Sequence, residues 1–169
     1  MRRAALIFGG ISGLIGIASI VGTLPYLQSG DMRKADAFGY ANIVFSALLI
    51  YFGIRSYREK EGAGRITFGQ GLLVGILITL VFCALFMVTF ELVYFRFVPD
   101  YGVKYEACMV HRAEAAGGTP AQIEKARSQA AMFRRLFDNP WTNAAVTFAT
   151  TFPVGLAAAA ISAAILRKR

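Results

Sequence analysis

One carboxylate stands out in the sequence, because Glu91 lies inside the long apolar run 71–97. A charged side chain at the centre of a membrane-spanning helix costs about 2.5–3.5 kcal/mol on insertion scales, and it usually has a partner or a function. Glu91 lies six residues before Phe97, or about 9 Å along a helix at about 1.5 Å per residue. Polar residues at similar depth in the other apolar runs are Thr23, Asn42, Asn143 and Thr147. We therefore predict an intramembrane polar cluster centred on Glu91.

Two roles fit a carboxyl group in this position. In the structural role, Glu91 hydrogen-bonds to neighbouring helices and holds them together. In the functional role, it relays a proton or a cation, or it binds a polar ligand. The sequence leaves both roles open.

Other chemical constellations are missing from the sequence. A single histidine, His111, makes a Ser/His/Asp triad improbable, and there is no Cys/His spacing for zinc and no phosphate-binding loop. Cys83 lies in an apolar run and Cys108 in a polar segment, so their different depths argue against a disulfide. We expect no enzyme activity, no metal site and no cofactor.

The composition excludes an ordinary soluble domain. Of the 169 residues, 56% are hydrophobic without counting glycine, and 17% are charged. Soluble domains have roughly 45–50% apolar residues with glycine included and about 25% charged residues. A small soluble domain has too little interior to hide this much apolar surface. The chain is therefore expected to partner a lipid bilayer, and its net charge of +8 does not indicate a nucleic acid.

Four apolar runs set the architecture. A spanning helix needs about 20 mainly apolar residues. The runs that qualify are 4–27, 37–54, 71–97 and 140–166. An open sheet cannot cross a bilayer, because its edge groups stay unpaired there. The predicted fold is all-α: an integral membrane bundle of four transmembrane helices in a single domain, 1–169.

The segment 98–139 between the third and fourth runs contains a helix signal. Thr119, Pro120 and Gln122 have the spacing of a capping box with proline at the first helical position. Apolar residues then recur on one helical face, at Ile123, Ala126, Ala130, Phe133 and Phe137. We predict a short amphipathic extracytoplasmic helix, either a lid over the bundle or a partner-binding element.

Basic residues orient the predicted bundle. With four spans, both termini lie on one side, and each side carries nine basic residues. On the terminal side they occupy short segments: Arg2, Arg3, Arg55, Arg58, Lys60, Arg65, Arg167, Lys168 and Arg169. The other nine, including Arg33 and Lys34, are spread over longer segments. Because the positive-inside rule counts short segments near helix ends, both termini are predicted to be cytoplasmic.

Small residues and a proline mark the faces expected to pack. Gly9, Gly13 and Gly16 form a small-residue face on the first helix, which lets two backbones approach closely. In the fourth helix, Pro153 precedes Gly155 by two residues and is expected to cause a kink. We predict that the first and fourth helices pack tightly, and a homodimer through the glycines stays an alternative.

Several tracts of the sequence resemble a known family. They are Ile50-Tyr51-Phe52-Gly53-Ile54-Arg55-Ser56-Tyr57-Arg58, Ile66-Thr67-Phe68-Gly69-Gln70-Gly71, Phe90-Glu91-Leu92-Val93-Tyr94 and Phe152-Pro153-Val154-Gly155-Leu156. In order and spacing they resemble domain of unknown function family 4199, a family of small bacterial membrane proteins. Phe90 departs from the family's Trp-like position. The resemblance implies a four-helix bacterial inner-membrane protein and no particular activity.

Two functions remain in competition. The first is a non-enzymatic accessory or interaction subunit, with a membrane-protein partner or a second copy of the chain. The alternative is a small transporter or channel whose polar path includes Glu91 and Asn42. No inverted repeat with paired broken helices is visible, which argues against the alternative.

Overall fold

The computed structural model describes residues 1–29 and 32–167, with side chains described at 1–26 and 38–167. The helices in these residues are α1 (Arg2–Ser29), α2 (Met32–Lys60), α3 (Phe68–Leu92), α4 (Tyr101–Ala115), α5 (Pro120–Phe137) and α6 (Pro140–Leu166). A π-helical segment, Val93–Phe97, continues α3. The stretches long and apolar enough to cross a membrane are Arg2–Tyr26, Phe38–Lys60, Phe68–Phe97 and Pro140–Leu166. The all-α fold with four candidate spans is thus confirmed.

The segment between the third and fourth spans contains two helices, whereas the sequence predicted one. The additional helix, α4, has an aromatic and polar face rather than an aliphatic one, and its Tyr101, Tyr105 and Cys108 did not count as an apolar run. α4 and α5 lie side by side, and we call them the hairpin. We call the end of the bundle that carries it the hairpin end, and the opposite end, where both termini lie, the terminal end.

A capping box begins α5, as the sequence predicted. The Thr119 side-chain oxygen accepts a hydrogen bond from the Gln122 backbone N–H at 3.4 Å. The Gln122 side-chain oxygen accepts one from the Thr119 backbone N–H at 2.8 Å. The same arrangement at Thr67 and Gln70 begins α3. Each box satisfies backbone donors that the first turn of a helix leaves without partners.

We expect Thr119→Ala to loosen the start of α5, because the alanine cannot accept the Gln122 N–H. Loss of such a cap typically costs about 1 kcal/mol. Faster amide hydrogen exchange at residues 120–123, measured by mass spectrometry, checks this result. Thr119→Ser keeps the hydroxyl and is the matched control. Unchanged exchange in Thr119→Ala would show that the box does not hold this turn.

The connection between α2 and α3 is a tight turn at the terminal end. The Gly62 N–H donates to the Tyr57 carbonyl oxygen at 3.1 Å, and the Gly64 N–H donates to Arg58 O at 3.0 Å. Gly64 has φ +80°, a conformation that glycine adopts without steric cost. The two glycines therefore allow α3 to return antiparallel to α2.

The four spanning helices form a ring. α1 lies between α2 and α3, α6 also lies between α2 and α3, and α1 and α6 occupy opposite corners. At the terminal end, the Met1 amino group contacts Glu61 Oε2 at 2.5 Å, and Arg58 Nη1 donates to Leu166 O at 3.5 Å. These contacts join the ends of three spans. Lys168 and Arg169, whose charges entered the orientation prediction, lie outside the described residues, as do the side chains of Arg33 and Lys34.

The glycines of α1 pack helices closely, but the predicted partner helix is corrected. Gly9 lies against Val81 and Ile78, and Gly16 lies against Phe82 and Phe86, all on α3. Gly13 likewise packs on Leu85 of α3. Gly155 of α6 packs on Thr79, again on α3. α3 is therefore the shared partner of α1 and α6, because it carries side chains that fit both glycine faces.

The terminal half of the bundle holds its main apolar core. The buried members are Ala4, Ala5, Ile50, Ile54, Ile66, Val74, Ile78, Ala159 and Leu166. A smaller core at the hairpin end consists of Ile20, Val93 and Val98. Between these two cores the helices leave space.

Candidate functional site

A cavity of about 470 Å³ lies in the hairpin half of the bundle, between all four spanning helices. Ligand pockets in proteins commonly measure about 300–1,000 Å³. Polar residues contribute to its lining from every span: Ser12, Ser19 and Thr23 from α1, Asn42 and Ser46 from α2, Thr79 from α3, and Thr150 and Thr151 from α6. Its size and its mixed lining make it the candidate functional site.

Three polar atoms in the cavity lining are buried and have no hydrogen-bond partner among the residues that the structure describes. They are Ser12 Oγ, Asn42 Oδ1 and Ser46 Oγ. Ser12 is 1% exposed and Asn42 is 6% exposed. An unsatisfied buried polar group costs about 1–3 kcal/mol. Three such atoms around one cavity indicate a position where a ligand can supply the missing hydrogen bonds.

Other hydroxyl groups of the lining are already satisfied within their own helices. Thr79 Oγ1 donates to Gly75 O at 2.9 Å, and Thr23 Oγ1 donates to Ile20 O at 2.6 Å. Thr150 Oγ1 donates to Val146 O at 2.9 Å. Such back-bonding to the preceding turn is common for hydroxyl residues in apolar helices. The unsatisfied atoms are therefore confined to α1 and α2.

An aromatic ladder on α3 forms one wall of the cavity. Phe82, Phe86 and Phe90 follow at four-residue spacing, so their rings share one helical face. The ring centroids lie 5.5 Å apart for Phe82 and Phe86, and 6.3 Å apart for Phe86 and Phe90. This wall offers a continuous apolar surface, and at Gly16 the rings of Phe82 and Phe86 lie close to Asn42 Oδ1.

The helix α4 forms the roof of the cavity. Its lining residues are Tyr101, Tyr105, Cys108, Met109 and Arg112. Tyr105 stacks on Phe133 of α5, with ring centroids 4.4 Å apart, and Phe133 stacks on Phe137 at 4.0 Å. At the start of α4, Lys104 lies 2.9 Å from Asp100 and lowers the pKa of that carboxyl. Aromatic stacking thus holds the roof on α5.

Three of the four sides between neighbouring spans are closed at the level of the cavity. Phe82 and Phe86 of α3 pack on Gly16 of α1, and Gly155 of α6 packs on Thr79 of α3. Phe38 of α2 closes the α1 side, with its ring centroid 5.8 Å from that of Tyr26. The fourth side of the ring lies between α2 and α6.

The α2–α6 side is closed near the terminal end and open at the cavity. Arg58 and Ile54 of α2 approach α6 near the terminal end. Nearer the hairpin, both helices contribute lining residues that stay half exposed, with Ile43 46% and Val154 45% exposed. The half-exposed lining residues on both helices indicate a sideways opening of the cavity between α2 and α6. We call this opening the portal.

The structure divides the predicted polar cluster into separate sets. Thr23 and Asn42 line the cavity. Asn143 and Thr147 pair with each other away from the cavity lining, with Thr147 Oγ1 donating to Asn143 Oδ1 at 3.2 Å. Asn143 Nδ2 also donates to Phe137 O at 3.2 Å. This second set therefore joins the start of α6 to the end of α5.

Glu91 belongs to neither set. It is not among the residues that line the cavity. Its Oε1 atom is buried, and no residue in the described part of the chain forms a hydrogen bond with it. The cluster predicted around Glu91 thus has its cavity-lining members on α1 and α2, while the carboxyl itself lies elsewhere on α3.

We expect Glu91→Gln to leave the free energy of unfolding unchanged or higher. The amide has the same shape as the carboxyl, and removing a charge from an apolar environment lowers the desolvation cost. Unfolding in detergent, followed by circular dichroism, measures the effect, with Glu114→Gln at an exposed position near the end of α4 as a control for removal of a surface charge. A loss of more than about 1 kcal/mol would show that the carboxylate has a stabilising charge-assisted partner.

The sequence interpretation missed Ser12 and the α4 roof. Ser12 shares one helical face with Gly16, Ser19 and Thr23, a spacing that periodicity within the apolar run reveals. Tyr101, Tyr105 and Cys108 likewise follow helical spacing. Cys83 is buried on α3, whereas Cys108 is half-buried on α4.

Comparison with known proteins identifies the family. The family model described as protein of unknown function (DUF4199) matches residues 7–168, nearly the whole chain. No curated protein and no solved structure matches the chain. Since this match includes the cavity and nearly all of the four candidate spans, the protein is a member of the DUF4199 family.

Proposed function

We propose that the protein is a non-enzymatic membrane protein that binds a small molecule in the cavity beneath the hairpin. The observation that carries this proposal is the set of three buried, unpartnered polar atoms, on Ser12, Asn42 and Ser46. Folding leaves such atoms unsatisfied only at a cost, so their position around one cavity supports ligand binding there.

The wider role we propose is that of an accessory subunit, which presents or senses its ligand for a membrane-protein partner or for a second copy of the chain. The hairpin supports this role, because the roof helix α4 contacts the cavity on one face through Tyr105 and Met109. Val103 and His111 are exposed on α4. Since a bound ligand would touch α4 directly, ligand binding would affect the helix that also carries this exposed surface.

We place the protein in the bacterial inner membrane with its terminal end in the cytoplasm, so that the hairpin is extracytoplasmic. Support comes from the basic residues Arg2, Arg3, Arg58 and Lys60, which lie at the terminal end of the spans. Basic residues close to helix ends favour the cytoplasmic side.

Transport is a second candidate function, and the shape of the cavity favours it over a channel. The cavity reaches Ser12 and Thr79 near the middle of the spans, while the apolar core with Ile54 closes the terminal half. A cavity that is closed toward the terminal end is the arrangement of a carrier rather than of a continuous pore. If the protein is a carrier, Asn42→Leu would reduce solute flux into liposomes, whereas in the binding role no flux exists to reduce.

Filling the cavity tests the binding function. Ala47 lines the cavity, and the adjacent Leu48 is exposed on the lipid-facing surface. We expect protein released from phospholipid nanodiscs to retain one bound small molecule in native mass spectrometry. Ala47→Phe should lose it, because the added ring occupies the binding volume.

Leu48→Phe adds a ring one position away on the outer surface and is the matched control. It should retain the bound molecule at the parent level. Equal occupancy in the parent, Ala47→Phe and Leu48→Phe would show that the retained molecule binds outside the cavity, and it would overturn the proposed function.

A further inference from the structure

We infer that the ligand of the cavity is an uncharged amphiphile, bearing a hydroxyl or amide group, that enters from the lipid leaflet at the hairpin end through the portal. This inference rests on the proposed binding function and names the chemical class of the ligand. Its polar group would bond to Asn42, Ser46 and Ser12, and its apolar body would lie against the α3 ladder.

The position of the portal indicates that the ligand enters the cavity from the membrane. Ile43 and Val154 border the cavity and lie within the apolar spans Phe38–Lys60 and Pro140–Leu166. The α4 roof covers the hairpin end, and the terminal half is closed by the apolar core. A molecule that reaches the cavity by the open side therefore comes from between lipid chains.

The unpartnered atoms indicate which kind of polar group the ligand carries. Asn42 Oδ1 is an acceptor and requires a donor, which a hydroxyl or an amide N–H supplies. The hydroxyl groups of Ser12 and Ser46 donate or accept, so they complement the same group. Asn42 lies four residues into the span from Phe38, and Ser46 eight, or about 6 and 12 Å at about 1.5 Å per residue. The polar group is thus bound below the level of the headgroups.

The charges of the lining exclude an anionic head group at this depth. Among the lining residues that the structure describes, Arg112 alone carries a full charge, and it lies on the roof helix. Burying a carboxylate or phosphate beside Asn42 and Ser46 without a cation would leave its charge uncompensated, which is costly in a low-dielectric site. An uncharged group meets no such cost.

The aromatic wall on α3 indicates that part of the ligand is apolar. Phe82, Phe86 and Phe90 present stacked rings along the cavity, and Ile43 and Val154 continue the apolar surface at the portal. A hydrocarbon chain or ring system gains free energy in proportion to the apolar area that it buries. A fully polar solute would gain nothing on this wall.

A photoactivatable dodecanol, with a diazirine on its chain, tests the inference on the full-length protein in phosphatidylethanolamine and phosphatidylglycerol vesicles. We expect saturable labelling of peptides that contain the cavity-lining residues of α2, α3 and α6. Unlabelled dodecanol should compete for this labelling, and dodecanoic acid should compete at least tenfold less well at a pH where it is ionised. Equal competition by the acid, or labelling that does not saturate, would overturn the inference.

Variants test the polar group and the portal separately. We expect Asn42→Leu, or the milder Ser46→Ala, to weaken dodecanol labelling several-fold to tenfold, while Ser56→Ala on the same helix leaves it unchanged. Val154→Trp at the portal should slow labelling, whereas Ile161→Trp, on an exposed part of α6 away from the cavity, should not. Labelling that is the same in all these variants would refute the assigned site.

The outcome separates this inference from the proposed function. If Ala47→Phe abolishes the retained molecule but dodecanol does not label the cavity, the cavity binds a ligand of another class and only this inference fails. If Ala47→Phe changes neither the retained molecule nor labelling by dodecanol, both fail.

Discussion

Replacing Gly75 with alanine is expected to lower the free energy of unfolding of the bundle by about 1–3 kcal/mol, the usual cost of overpacking a well-packed interface. A Cβ atom at position 75 would lie 2.5 Å from the Cβ of Ala159 on α6 and 3.1 Å from its Cα. Because both neighbouring atoms belong to a short, rigid residue, α3 and α6 must move apart. Unfolding by titration with a denaturing detergent measures the loss.

Two further variants make this result specific. Gly10→Ala is the control for helix propensity, since a Cβ at Gly10 meets nothing within 4 Å, and it should leave stability unchanged or higher. Adding Ala159→Gly to Gly75→Ala removes the colliding Cβ and should recover part of the loss, as expected for residues in contact. If the double variant is as unstable as the sum of its parts, the two residues do not meet as described.

The second large effect is expected from Asn143→Leu, which should cost about 2 kcal/mol, because it leaves buried polar partners without a bond. Asn143 is 0% exposed, donates to Phe137 O and accepts from Thr147 Oγ1. Without it, one of the hydrogen bonds that join the end of α5 to the start of α6 is lost, while the bond from Thr142 Oγ1 to Leu136 O remains. Amide hydrogen exchange at residues 133–138 should accelerate more than exchange in α3, because the loss is local to the hairpin.

Thr89→Val is the matched control for removing a polar group from a span. Thr89 Oγ1 donates to Leu85 O in its own helix, at 2.8 Å, so its loss should cost little and leave exchange in the hairpin unchanged. Adding Thr147→Val to Asn143→Leu removes the orphaned hydroxyl and should recover stability. Equal exchange in α5 for Asn143→Leu and the parent protein would contradict the proposed link.

Local signals in the sequence predicted the spanning elements. Each apolar run is at least 18 residues long, which lies within the range of lengths that span a bilayer, and that property needs no knowledge of neighbouring helices. The start of α5 was likewise predictable from Thr119 and Gln122, because a capping box closes within four residues. The roof helix α4 was missed because its tyrosines serve as apolar residues only once Phe133 and Tyr94 are placed beside them.

The candidate site was only partly predictable, for a related reason. Asn42 and Thr23 were predicted site residues because they are polar residues in apolar runs, and both line the cavity. Asn143 and Thr147 were predicted for the same reason, but they form hydrogen bonds with each other and with Phe137 O. Depth along a span is readable from the sequence, whereas the direction in which a side chain points toward one neighbour or another is not.

The sequence by itself determined that the chain forms four membrane-length helices, because burial in lipid depends on the composition and length of each run. Only the tertiary structure decided that α1 packs on α3 rather than α6, and that α2 and α6 separate to open a portal. The physical reason is that apolar residues predominate around the whole circumference of α1 and α3, and lipid chains are as apolar as a protein interior. Hydrophobicity therefore cannot choose their neighbours, and the choice depends on the fit of glycines such as Gly16 to side chains such as Phe82.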